Sequence, residues 1–159
     1  MENSRLSLVL GRAWQYTQTI LGLIFRHPIV GVAIIPILPD GQIVLIHRRD
    51  NQRWALPGGF VDWGEDLPTA AGRELREETG LQVQRFGRLV GVYSSPKRDP
   101  RIHSICVTVE AFVAGVYEII DVGEVQEVRA FSMENLPWTQ LAHDHQQQLQ
   151  DYFAGQTVW

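Results

Sequence analysis

The 159-residue sequence predicts a single α/β layered domain with an added N-terminal helix. Strand-like apolar runs lie on both sides of one internal helical segment, and a second helical segment closes the chain. No linker-like, low-complexity or repeated stretch divides it, and a hydrophobic content of 45% over this length suffices for one core.

The elements follow in order. Leu10, Trp14, Thr17, Leu21, Ile24 and Phe25 recur at helical spacing within 6–25, while Arg12, Gln15 and Gln18 interrupt any run long enough to span a bilayer. Residues 1–27 therefore read as an amphipathic extension to a domain over 28–159. The extension packs on the domain or on a second subunit, with contact to a membrane surface as the alternative. After Pro28, the segments 30–38 and 42–46 form a hairpin across Pro39-Asp40-Gly41. A helix follows Asp66, with Asp66 as its N-cap, Pro68 in its first turn and Gly80 as its left-handed stop. The segments 81–93, 102–113 and 125–131 read as strands. A last helix, from about His143 to Phe153, carries Leu149, Tyr152 and Phe153.

Charge and cysteine usage narrow the function. A formal net charge of -4 argues against general affinity for nucleic acid, which needs a basic face. Cys106 is the only cysteine, so neither an intramolecular disulfide nor a cysteine metal site can form; within Ile105-Cys106-Val107 it reads as a small buried hydrophobe. The N-terminus lacks a basic region followed by an uninterrupted apolar stretch and a small-residue cleavage site, which makes a cytoplasmic location the default.

The chemistry concentrates on the internal helix. At roughly 100° per residue, Glu74, Glu77 and Glu78 fall in one sector, beside an apolar sector of Pro68, Ala71 and Leu75. Like charges at i, i+4 cost a helix about 0.2–0.5 kcal/mol, so this stripe calls for a cation or for arginine partners. Arg73 can relieve Glu77 and engage Glu65. Clustered hard oxygen donors suit Mg2+ or Mn2+. Before the helix, Leu56-Pro57-Gly58-Gly59 turns tightly, and Gly58 and Gly59 remove Cβ atoms that would keep a metal or phosphate from the backbone.

Gly59, Glu65, Arg73, Glu74, Leu75, Glu77, Glu78, Gly80 and Leu81 together spell G-x5-E-x7-R-E-L-x-E-E-x-G-L, a match expected by chance on the order of once in a billion starting positions. The pattern resembles the Nudix box of Mg2+-dependent pyrophosphohydrolases. The resemblance implies the Nudix fold, a mixed sheet sandwiched between helices, and hydrolysis of a nucleoside diphosphate linked to a further group. It makes Glu74, Glu77 and Glu78 metal ligands, joined by a carbonyl of Gly58 or Gly59, with Glu77 or Glu78 next to the attacking water. Glu65, Arg73 and Gly80 take structural roles. Glu127 matches where related enzymes place a further catalytic or metal-binding carboxylate. Many members dimerise, which implies a homodimer here.

The substrate rests on other residues. In Tyr93-Ser94-Ser95-Pro96-Lys97-Arg98-Asp99-Pro100-Arg101-Ile102-His103, three basic residues and a histidine gather between two strands. Lys97, Arg98, Arg101 and His103 form a candidate clamp for a second phosphate or a terminal ribose, and Arg48 and Arg53 are placed to meet phosphates. Pro96, about fifteen residues past the box, resembles a marker of ADP-ribose pyrophosphatases. The expectation is hydrolysis of ADP-ribose or a related nucleotide sugar to AMP and a sugar phosphate. A nucleoside triphosphate pyrophosphohydrolase and a non-catalytic nucleotide-sugar sensor are the alternatives.

Overall fold

The computed structural model describes residues 14–16, 19, 21–22, 27–99 and 102–159. Most of the predicted N-terminal helix and Arg101 lie outside the described residues; those described at 14–16, 19, 21 and 22 are helical. No described helix is long and apolar enough to cross a membrane.

Seven strands form one mixed sheet. They are β1 (Ile29–Ile37), β2 (Ile43–Arg48), β3 (Trp54–Ala55), β4 (Gly58–Phe60), β5 (Gln82–Tyr93), β6 (Ser104–Ala114) and β7 (Val125–Phe131). Helix α1 (Leu67–Thr79) lies between β4 and β5, and α2 (His145–Phe153) follows two short 3-10 turns. The expected hairpin is present: Leu38 N–H donates to the Gln42 carbonyl at 2.9 Å. Long parallel pairing of β1 with β6, from Ile29↔Ser104 to Ile37↔Phe112, forms the spine, and β5 extends it antiparallel to β6.

Helix α1 packs on one face of the sheet and α2 on the other. Ala70, Ala71 and Leu75 of α1 pack with Val32, Ile34, Val44 and Leu81. On the other face, Leu149 of α2 joins Ala33, Ile35, Leu45, Trp54, Leu56 and Cys106. Alternation along β1 sends Val32 and Ile34 to one core and Ala33 and Ile35 to the other, which is why this strand reads as a continuous apolar run. Trp54 fills the second core, its ring 4.9 Å from that of Phe131 and edge-on to it.

The short strands β3 and β4 had no separate signal in the sequence. They exist because β1 and β2, paired at Ile37↔Ile43, diverge beyond their turn. Into that wedge fall Trp54–Ala55 against β2 and Gly58–Phe60 against β1. The predicted caps of α1 form: Asp66 accepts from Thr69 N–H at 2.9 Å, and Gly80, at φ 77°, donates to the Arg76 carbonyl.

Candidate active site

The wedge brings the glycine turn against the acidic helix. Gly58 and Gly59 pair with Ala33 and Val32. Gly58 holds φ 152°, and a Cβ there would overlap the Val32 carbonyl and lie 2.9 Å from Ala33 Cα. A Cβ at Gly59 would fall on the Glu74 carboxylate. Only glycines allow the loop and helix to meet this closely.

The three box glutamates occupy different environments. Glu78 is 2% exposed, because three and seven residues separate it from Leu75 and Ala71 and so turn it toward the packed face. Its Oε2 accepts from Gly58 N–H at 2.7 Å. Burial pushes its carboxyl up to about 8 against the pull of that hydrogen bond, and the neighbouring Glu74 charge adds to the rise. Glu74 is likewise raised by burial, although Arg73 opposes the shift. Glu77 is the most open, with 37% of its side chain exposed.

Arg73 ties the cluster together. Nε donates to Glu65 Oε1 at 2.9 Å, Nη1 donates to Glu74 Oε1 at 2.8 Å and to Glu77 Oε2 at 3.4 Å, and Nη2 donates to the Phe60 carbonyl at 3.0 Å. Glu65 in turn accepts from Asp62 N–H at 3.1 Å. The structural pairing expected of Glu65 and Arg73 is therefore made, and Arg73 serves as the local cation for the stripe. With Glu74 and Glu77 drawn onto Arg73, no three His, Cys, Asp or Glu side chains among the described residues already converge as a ligand set.

The donors nonetheless fit a hard divalent cation. The buried Glu78 and the half-buried Glu74, both with raised proton affinity, gain from a nearby positive charge, and a Cβ at Gly59 would fill the cradle opposite Glu74. Glu74, Glu77, Glu78 and the backbone of Gly58 or Gly59 would hold it.

A cavity of about 620 Å3 opens over these groups. Its floor is Gly31, Val32 and Ala33 of β1, so it reaches both faces of the sheet. One wall carries Gly58, Gly59, Arg73, Glu74 and Glu77; Arg48, Asp121 and Glu124 lie along the rim; Arg98, Ser104, Cys106, His143 and His145 make the far wall.

The loop between β6 and β7 reaches the site through α1. The Ile120 and Asp121 N–H groups each donate to the Glu77 carbonyl at 2.9 Å, and Glu118 N–H donates to that of Thr79 at 3.0 Å. Glu124 thereby stands at the cavity, 3.6 Å from Arg48 Nη2. Glu127, the late carboxylate singled out from the sequence, does not line the cavity: it sits on β7 and accepts from Arg129 Nε at 2.8 Å. Both glutamates were visible in the sequence, but Glu124 ends the loop that docks on α1 whereas Glu127 lies on β7, and only the former lines the cavity.

The basic residues separate in the same way. Arg48 and Arg98 line the cavity, whereas Arg53, Lys97 and His103 do not. Arg53 Nη1 donates to the Leu141 carbonyl at 3.2 Å, His103 Nε2 lies 3.2 Å from the Ser94 carbonyl oxygen, and Lys97 is exposed. Arg98 is clasped by Asp144, with Nε and Nη2 each 2.9 Å from a carboxylate oxygen, and Nη1 donates to Ser104 Oγ at 2.6 Å. The sequence reading missed the far wall at His143 and His145, because the spacing that puts these residues at the start of α2 carries no sign of what that turn faces.

Comparison with known proteins places this geometry. The NUDIX domain model matches residues 27–152. An ADP-ribose pyrophosphatase of Methanocaldococcus jannaschii is 42% identical over 132 residues, covering 81% of this chain and 75% of that protein. A putative 8-oxo-dGTP diphosphatase of Bacillus subtilis is 41% identical over 73 residues, only 46% of this chain and 48% of its own length. Among solved structures, a MutT NUDIX hydrolase from Burkholderia pseudomallei superposes with a TM-score of 0.69 at 29% identity, covering 79% of this chain and 98% of that one. Since the family match runs from the strand that floors the cavity to the helix that closes its far wall, the chain belongs to the Nudix family.

Proposed function

We propose that this chain hydrolyses the diphosphate of ADP-ribose or a close nucleotide sugar, releasing AMP and a sugar phosphate, with Mg2+ as the cation and Mn2+ as a substitute. The observation that carries the proposal is one cavity joining the acidic face of α1 to a separate, partly apolar wall, which gives room for a nucleoside beyond the diphosphate. The relative from Methanocaldococcus jannaschii, similar over most of the chain, supports this choice of substrate.

Glu74, Glu77, Glu78 and the Gly58–Gly59 backbone hold the cation, which when bound neutralises phosphate oxygens and acidifies water. Arg48, on the rim, faces the diphosphate. Glu77, the most solvated of the three, is suited to orient or deprotonate the attacking water. Arg73 holds the helix to the loop through Glu65 and the Phe60 carbonyl, and Glu74 and Glu77 turn from its guanidinium toward the cation on binding. Glu124, not Glu127, is the carboxylate that the late loop delivers.

Phosphate-release profiling with and without Mg2+, across ADP-ribose, other nucleotide sugars, dinucleotides, NADH and nucleoside triphosphates, tests this. ADP-ribose should lead. Preference for triphosphates, as the partial match to the 8-oxo-dGTP relative would favour, overturns the substrate and leaves the reaction class. Tight binding of ADP-ribose with no turnover under any metal would point to a sensor.

A further inference from the structure

The first residue of α2 presents a fixed hydrogen-bond donor to the cavity. His145 is 9% exposed and lines the cavity wall. Its Nδ1 accepts from Leu56 N–H at 2.9 Å. Burial holds its pKa well below the ordinary histidine value, so the ring is neutral. A neutral imidazole that accepts at Nδ1 must carry its proton on Nε2. No described hydrogen bond engages Nε2, and no fully buried side-chain nitrogen among the described residues lacks a partner. Nε2 is therefore reached from open space, and the cavity is the space that His145 lines.

Its surroundings select the acceptor. Ala33, Leu56 and Cys106, which line the same cavity, belong to the apolar cluster beneath α2. Arg98, a cation lining the same cavity, is already held in a two-pronged pair by Asp144. That pair belongs to a chain running from Ser104 through Arg98, Asp144 and Gln148 to Thr108, which pins the first turn of α2 to β6. A neutral donor beside Ala33, Leu56 and Cys106, with the neighbouring guanidinium already paired, suits an uncharged, flat acceptor.

We propose that His145 is a specificity-determining residue, whose Nε2–H donates to a ring nitrogen of the substrate's adenine while the diphosphate lies at the carboxylate wall. The assignment rests on the ADP-ribose reading. Discrimination arises because a base lacking that nitrogen leaves the donor unpaired in a cavity closed by ligand.

The test pairs His145→Asn with deaza analogues of ADP-ribose, each replacing one purine ring nitrogen by C–H. Asparagine can still accept from Leu56 N–H through Oδ1 but has no donor at the Nε2 position. In the wild type, one analogue should lower kcat/KM about tenfold, chiefly through KM. H145N should lose a similar factor on ADP-ribose itself and show no further loss with that analogue. Equal sensitivity of both proteins to every analogue would overturn the assignment while ADP-ribose hydrolysis stood. Should H145N fail to fold, AMP titrated into wild-type protein with nitrogen-labelled histidine gives the answer: the His145 Nε2 resonance must shift with AMP and not with ribose 5-phosphate. A shift without any ADP-ribose turnover would keep His145 as the base reader and sink the substrate reading.

Discussion

The Gly58 amide and the Glu78 carboxylate are 2.7 Å apart, a hydrogen bond from a strand in the sheet wedge to the buried side of α1. It holds a carboxyl that burial has pushed up to about 8 next to the turn whose backbone it needs. Glu77, one residue earlier, faces the cavity instead.

Glu77→Gln and Glu78→Gln should therefore remain folded and lose at least about a hundredfold in kcat, because each keeps its volume and an acceptor oxygen but can no longer ionise to hold the cation. Steady-state kinetics together with circular dichroism check this. Substantial turnover in both variants would remove the carboxylates from the metal site.

Gly58→Ala tests the wedge. A residue with a Cβ at φ 152° carries a backbone cost of about 1–3 kcal/mol, to which the overlap with the Val32 carbonyl adds. Chemical denaturation should show a loss of at least that size, and a smaller one, about 1–2 kcal/mol, at Gly41→Ala, where φ is also positive but no atom lies within 4 Å of the added Cβ.

Glu124 and Glu127 separate proximity in sequence from proximity in space. Glu124→Gln should lower kcat about tenfold or more, whereas Glu127→Gln, whose partner Arg129 lies outside the cavity, should stay within about twofold of the wild type. The reverse ranking would mean that the β6–β7 loop rearranges on binding substrate.

His145 imposes a pH dependence on stability. Its folded pKa lies below its unfolded value of 6.5, so on acidification below that value the unfolded chain takes up a proton that the folded chain refuses. Stability from this group is complete above about pH 6.5 and is lost as pH falls below it. Urea denaturation across that range should give a shallower acid slope for H145N than for the wild type; identical slopes would show that His145 titrates normally in the fold.

Much of this protein is legible along the chain because it depends on neighbours in sequence. Helix α1 was written by its own caps at Asp66 and Gly80, and the Arg73–Glu77 contact by i, i+4 spacing. The strands were signalled by their apolar runs, and the box by residue types at set intervals. These features need no knowledge of what lies across the sheet.

Tertiary structure decided the rest. Glu74, Glu77 and Glu78 look alike as a stripe, yet packing against the sheet buries Glu78 and leaves Glu77 open. The diverging hairpin of β1 and β2 created β3 and β4, which no local pattern announced. The docking of the β6–β7 loop on α1 put Glu124 and not Glu127 at the cavity, and the docking of α2 withdrew Arg98 into a pair with Asp144 while bringing His145 to the cavity. The physical reason is common to all of these: a charge or donor acts on whatever stands within a few ångströms, and that neighbour is set by how the layers close, not by the spacing of residues along the chain.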